Sequence, residues 1–222
     1  MDIVPKGVVK ASISPQNPGW ASMDVIRNIL ETICRLSDDF LQNRERRTDG
    51  WVVLSNFSDH DGKLSESIRN KIVMSVYNIT HETTISTYTA AQPGRRGDYA
   101  IVQPPLYVDL HLIFMANFID RAYPEGLAAI SRIISFFQQT PWFTQENAPQ
   151  LDRTVDKITL EFADLSPVDV NYVMSMLGTR YLPSVFYKLR LIPFTSNTMS
   201  ARAYPARGSA PGASTENGEQ DA

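Results

Sequence analysis

Apolar side chains recur at three- and four-residue steps near the start of the chain, where Val25, Ile26, Ile29, Leu30, Ile33, Leu36, Phe40 and Leu41 trace one helix face. Ser22 is placed to cap this helix, and Asp24 to stand in its first turn, where negative charge meets the positive end of the dipole. The stripe lasts too few heptads for a coiled coil, so it is expected to pack on a sheet. The period then drops to two. Residues 51–57 read as a short strand, and Asp59-His60-Asp61-Gly62 supplies a turn. In a second strand over 72–79, Ile72, Met74 and Val76 face one way and Val73, Tyr77 and Ile79 the other, which predicts that both faces are covered. Residues 83–89 form a weaker, polar β segment, and Pro93-Gly94-Arg95-Arg96-Gly97-Asp98 marks a hairpin tip or contact loop.

The longest alternation runs over 106–118. Leu106, Val108, Leu110, Leu112, Phe114, Ala116 and Phe118 share a core face, opposite an amphipathic face of Tyr107, Asp109, His111, Ile113, Met115 and Asn117. Leu127, Ile130, Ile133, Ile134 and Phe137 make a second helical stripe, started near Pro124-Glu125 and stopped before Pro141. Trp142 and Phe143 open a poorly defined connection. Residues 155–162 alternate again, with Ile158, Leu160 and Phe162 on the apolar side. Ser166-Pro167-Val168-Asp169 then has the form of a helix N-terminus, and Gly178 is placed to end the helix, whose apolar face is Val170, Val173, Met174 and Leu177. The last strand follows over 184–193. This order predicts an α+β fold, a largely antiparallel or mixed sheet packed by about three helices.

Proline and glycine without periodicity over residues 1–21 read as an N-terminal arm, and the Ala, Ser, Gly, Pro and acidic composition of 195–222 as a tail that is disordered or ordered by a partner. Residues 22–194 are expected to form a single domain, and a chain of 222 residues suffices for its core.

Composition narrows the function more than it names it. A hydrophobic share of 43%, a charged share of 20% and a net charge of -3 describe an ordinary globular chain with no general pull toward nucleic acid. No segment reaches the roughly 20 apolar residues that span a bilayer, and the start has no signal-peptide pattern, so no membrane partner and cytosolic folding are expected. Cys34 is the single cysteine, which excludes an intrachain disulfide and any CxxC site. His60, His81 and His111 fall on different elements without ligand spacing. Asp109 and His111 share a strand face but cannot complete a metal site by themselves. No phosphate loop, dinucleotide fingerprint or Gly-x-Ser-x-Gly turn is present. The residues therefore point to no enzyme, cofactor or metal.

Five blocks in order carry a family resemblance: Trp51-Val52-Val53-Leu54-Ser55-Asn56, Asn70-Lys71-Ile72-Val73-Met74-Ser75-Val76, Pro104-Pro105-Leu106-Tyr107-Val108-Asp109-Leu110, Ser135-Phe136-Phe137-Gln138 and Tyr181-Leu182-Pro183-Ser184-Val185-Phe186-Tyr187-Lys188-Leu189-Arg190. Together they resemble the N-terminal domain of the cap, or tube-terminator, proteins of extracellular contractile injection systems. The leader before Met23 and the early end of the chain depart from that pattern. The resemblance implies a structural homohexameric ring that terminates the inner tube and stabilises the distal sheath, with inner tube and sheath proteins as partners. It also implies assembly in the cytoplasm into a particle that can be released outside the cell. A baseplate or adaptor component of the same particle, and a small ligand-binding domain or enzyme, are the alternatives. Candidate interface residues are Arg95, Arg96, Tyr181, Pro183, Tyr187, Lys188 and Arg190, since Tyr and Arg are frequent interface anchors.

Overall fold

The computed structural model describes residues 24–57, 66–82, 91–93, 99–102, 106–153, 155–194 and 199–203. Helix α1 spans Val25–Gln42 and buries Val25, Ile29, Leu30, Ile33 and Leu41, as the stripe requires. It begins two residues later than expected: Asp24 occupies the cap position without a side-chain cap bond, and Ser22 lies outside the described residues. Its Asp38 instead organises the next element, because Oδ1 accepts the backbone N–H groups of Trp51 and Val52 and thereby ties the helix to the head of β1 (Val52–Leu54).

β2 (Ile72–His81) lies parallel to β1. The short strands β3 (Ala91–Pro93) and β4 (Tyr99–Val102) pair antiparallel, as a hairpin would, while the tip with Arg95 and Arg96 lies outside the described residues, as do 59–62 and 83–89. β5 (Leu106–Ala116) leads through a short 3₁₀ turn to α2 (Tyr123–Gln139). β6 (Trp142–Thr144) and β7 (Lys157–Phe162) follow, then α3 (Pro167–Met176), β8 (Ser184–Phe194) and β9 (Met199–Ala203). The main sheet has the order β1-β2-β5-β8-β7-β6, and β3, β4 and β9 form a second, antiparallel sheet. Antiparallel pairing everywhere except β1 with β2 makes the main sheet mixed, and with three helices the fold is α+β.

The sheet has two covered faces. On one, α1 and α2 enclose Leu110, Leu112, Phe114, Leu160 and Leu189, with ring centroids 5.2 Å apart for Phe114 and Phe137 and 4.8 Å for Phe137 and Tyr187. On the other, α3 brings Val173 and Met174 against Val73, Ile113, Met115 and Phe186. Ile113 and Met115 are fully buried, so this end of β5 is apolar on both sides rather than amphipathic.

Several expectations change. Trp142 and Phe143 begin an edge strand, with Phe143 opposite Ile158, where the sequence suggested only a connection. β2 is covered only over its first half, and Ile79 is 52% exposed. A bulge at Tyr77, between the pairs Val76 with Leu112 and Asn78 with His111, exchanges the two faces. A second irregularity sets Asp109 opposite both Arg190 and Leu191, so Ile192 joins Tyr187 and Leu189 in the core against the simple alternation. Finally, β9 pairs with β4 inside the stretch assigned by composition to the tail. α3 follows the sequence closely: the Ser166 side chain accepts the Asp169 N–H at 3.3 Å, and Gly178 takes φ +66° just past the helix, where a side chain would be strained.

Candidate assembly surface

The α3 face of the sheet divides into two halves. Where α3 lies, the strands offer Val73, Ile113, Met115 and Phe186; farther along they offer Asp109 and His111 of β5, Lys188 and Arg190 of β8 and Glu161 of β7, with Glu82 just past β2. Alternation places these residues on one side because directly opposed strand residues share a face. Lys188 Nζ stands 2.9 Å from Asp109 Oδ2, and Arg190 reaches Glu82 at 2.6 Å and Glu161 at 3.0 Å. Asp109 is 1% exposed, while Lys188 reaches solvent. His111 Nε2 is 3.0 Å from the Thr80 hydroxyl, and its ring meets Tyr77 edge-on. Burial, and then the positive charge of Lys188, hold the His111 pKa below its ordinary value, with Asp109 opposing them. The hydrogen bonds that Arg190 donates to Glu82 and then to Glu161 raise its own pKa, which keeps the guanidinium charged.

These are cross-strand ion pairs between β2, β5, β8 and β7. Their chemistry is the holding together of strands, since each cation faces a carboxylate. Among the described residues, no group of three His, Cys, Asp or Glu side chains is arranged to hold a metal ion. No helix of the described residues is long and apolar enough to cross a membrane. Cys34 sits on α1 with its pKa pushed up to about 11, chiefly by burial and then by Asp38, so its thiol stays protonated at neutral pH.

The surface of α3 differs in kind. Its inner side buries Val173 and Met174, yet Val168, Tyr172 and Met176, one turn apart, stand on the outer side and are all largely exposed. Tyr181, after the helix, is 71% exposed. Between α3 and residues 179–181 runs a groove of about 630 Å³, lined by Leu165, Val170, Met174, Arg180 and Tyr181 among others. A helix apolar on both sides is normally buried on both, so the outer stripe is the part of α3 that packing on the sheet leaves uncovered.

The seven candidate interface residues are thus dispersed. Arg95 and Arg96 lie outside the described residues. Tyr181 borders the α3 groove. Pro183 is half-buried, and its carbonyl accepts the Ala116 N–H at 2.8 Å, which sets the head of β8 against the end of β5. Tyr187 is turned inward, 3% exposed among Phe114, Phe137 and Phe162, and burial raises its pKa to about 12. Lys188 and Arg190 are engaged with carboxylates of their own chain. Sequence reasoning missed Val168, Tyr172 and Met176. Their four-residue spacing is present in the sequence, but Val170, Val173, Met174 and Leu177 already account for one apolar face.

Two solved structures share this fold. One is the sheath/tube terminator, in the extended state, of PVC, an extracellular contractile injection system; it superposes with a TM-score of 0.55 at 11% identity, covering 89% of this chain and 64% of that one. The other is the tube-terminating cap of the anti-feeding prophage, with a TM-score of 0.55 at 9% identity, covering 86% of this chain and 61% of that one. The chain therefore spans less than two thirds of the length of either. No curated protein matches the sequence. A family model described as the Pvc16 N-terminal domain matches residues 35–207, most of the chain, and the chain belongs to that family.

Proposed function

We propose that this chain is a structural cap of a contractile injection particle, forming a homohexameric ring on the end of the inner tube and holding the distal sheath. The observation that carries the reading is the family match over residues 35–207, and the shared fold with two tube terminators supports it. Capping needs contact surfaces rather than catalysis, and an apolar surface outside α3 beside self-paired charges fits that need. A ring closed by heterologous contacts offers one side complementary to the terminal tube ring and no equivalent side to the next, so growth stops for want of a matching surface. Repetition around the ring strengthens contacts that are individually weak. Assembly takes place in the cytoplasm, with the inner tube and sheath proteins as partners.

Imaging particles made with and without this chain tests the proposal. Its loss is expected to give tubes of abnormal length or particles with unstable distal sheaths. Unchanged particles would overturn it.

A further inference from the structure

Along the outer edges of the main sheet, side chains stand in for missing strands. Asp38 Oδ1 accepts the outward N–H of Val52 on β1, and Asn78 Oδ1 accepts the N–H of Ile79 on β2. On β6 the Asn147 amide does so twice, since Oδ1 accepts the Thr144 N–H at 2.8 Å and Nδ2 donates to the Trp142 carbonyl at 3.0 Å. Such plugs occupy the groups that an added strand would use. The end of β7 has none. β7 outruns β6 there, because the chain arrives at Pro141 from the end of α2; Leu160 N–H reaches the Pro141 carbonyl at 2.8 Å, and Phe162, two residues on, has no strand beside it. Ala163 N–H points the other way, to the Phe186 carbonyl of β8, so the N–H and C=O of Phe162 face outward and have no partner among the described residues. We infer that this end of β7 takes an extended segment of a partner protein, added antiparallel in line with β6, with an aromatic side chain opposite Phe162.

The residues of this open edge also wall a pocket, and the pocket selects the occupant. Ile134, Phe137, Pro141, Leu160, Phe162 and Tyr187 line a space of about 160 Å³ on the α2 side of the sheet. An apolar cavity of roughly 150 Å³ holds a benzene ring, so the space suits one group the size of a Phe side chain. A residue paired with Phe162 directs its side chain to the same face as Phe162, which is where the pocket lies. Phe162 is 58% exposed, which leaves the entrance open. Tyr187 is only 3% exposed and makes no side-chain hydrogen bond among the described residues, so a polar main-chain group entering beside it can recover the cost of its unbonded hydroxyl. Charge fixes the flank. Asp164, two residues past Phe162, is exposed and forms no ion pair among the described residues. In an extended antiparallel pair it lies opposite the residue two places before the aromatic one, which is therefore Lys or Arg. A helix has already bonded its own main-chain groups and cannot meet those of Phe162, whereas an extended segment can. This surface is independent of the cap reading.

Peptide binding to the full chain tests this. The probe is acetyl-Lys-Thr-Phe-Thr-Val-amide, with three control peptides: Asp in place of Phe, Glu in place of Lys, and a methyl group on the main-chain nitrogen of Phe. An NMR titration is expected to give a dissociation constant below about 1 mM for the probe. The Asp and N-methyl peptides should bind about tenfold more weakly or worse, and the Glu peptide about threefold more weakly. In the complex the Phe162 amide hydrogen should exchange several times more slowly, because it gains a bonding partner. Phe162→Ser and Ile134→Lys, both at exposed positions, should keep the circular dichroism of the parent and bind the probe about tenfold more weakly. An unbound probe at millimolar concentration, a bound probe that leaves Phe162 exchange unchanged, or equal binding of the N-methyl peptide or by either variant would each overturn the inference. The cap reading stands or falls separately, on the particles made without this chain.

Discussion

Asp109 is the side chain most dependent on a partner. Its carboxylate is buried, and the Lys188 ammonium, 2.9 Å from Oδ2, is the charge that compensates it. Removing one member of a buried pair leaves an uncompensated charge, at a cost of about 3–5 kcal/mol in enclosed sites. Because Lys188 is one-third exposed, Lys188→Met is expected to cost less, about 2–3 kcal/mol, read from the urea midpoint, and adding Asp109→Asn should recover part of the loss. His111, between Thr80, Tyr77, Lys188 and Asp109, gives a pH signature. Its folded pKa lies below the ordinary 6.5, so between those two values the unfolded chain binds the extra proton. Its contribution is complete above pH 6.5 and is lost as pH falls from there toward the folded value. His111→Gln should flatten the decline in stability over that window, measured by urea titration at several pH values. The sequence placed Asp109 and His111 on one strand face. It did not show that each has its own partner on another strand, because Lys188 and Thr80 are far away along the chain.

At the scale of elements, punctuation was legible where it acts locally. Ser166, Pro167 and Gly178 bounded α3, and Pro124 and Pro141 bounded α2, since capping and missing N–H groups act within a turn of the residue concerned. The edge strand β6 was not legible, because three residues are too few to show a period. The bulges were not legible either, since an extra residue is defined only against the partner strand. Two glycines illustrate the difference between local and tertiary constraint. A Cβ on Gly178 would meet no atom within 4 Å, so Gly178→Ala is limited by φ +66° alone, at about 1 kcal/mol. A Cβ on Gly126 would lie 2.8 Å from Phe118 Cβ, close to the backbone, where little can give way. Gly126→Ala is therefore expected to lower stability by about 1–2 kcal/mol in urea unfolding despite the better helix propensity of alanine.

For the molecule as a whole, the strand order and the two layers decide what is left outside. With α1 and α2 on one face and α3 on the other, α3 keeps an apolar stripe facing away from the sheet. The paired charges of Lys188 and Arg190 serve the sheet, and Tyr187 serves the core. The sequence by itself determined the α+β class, the three helices, the cap of α3 and most of the core, because these follow from periodicity and from residues acting on their near neighbours. It also carried the family resemblance, in blocks that correspond largely to strands and to the end of α2. Only the tertiary structure decided which apolar residues remain exposed, which charges are spent within the chain, and which strand faces exchange at a bulge. Those outcomes depend on contacts between segments distant in the chain, and no local period records which of two apolar helix faces the sheet will cover.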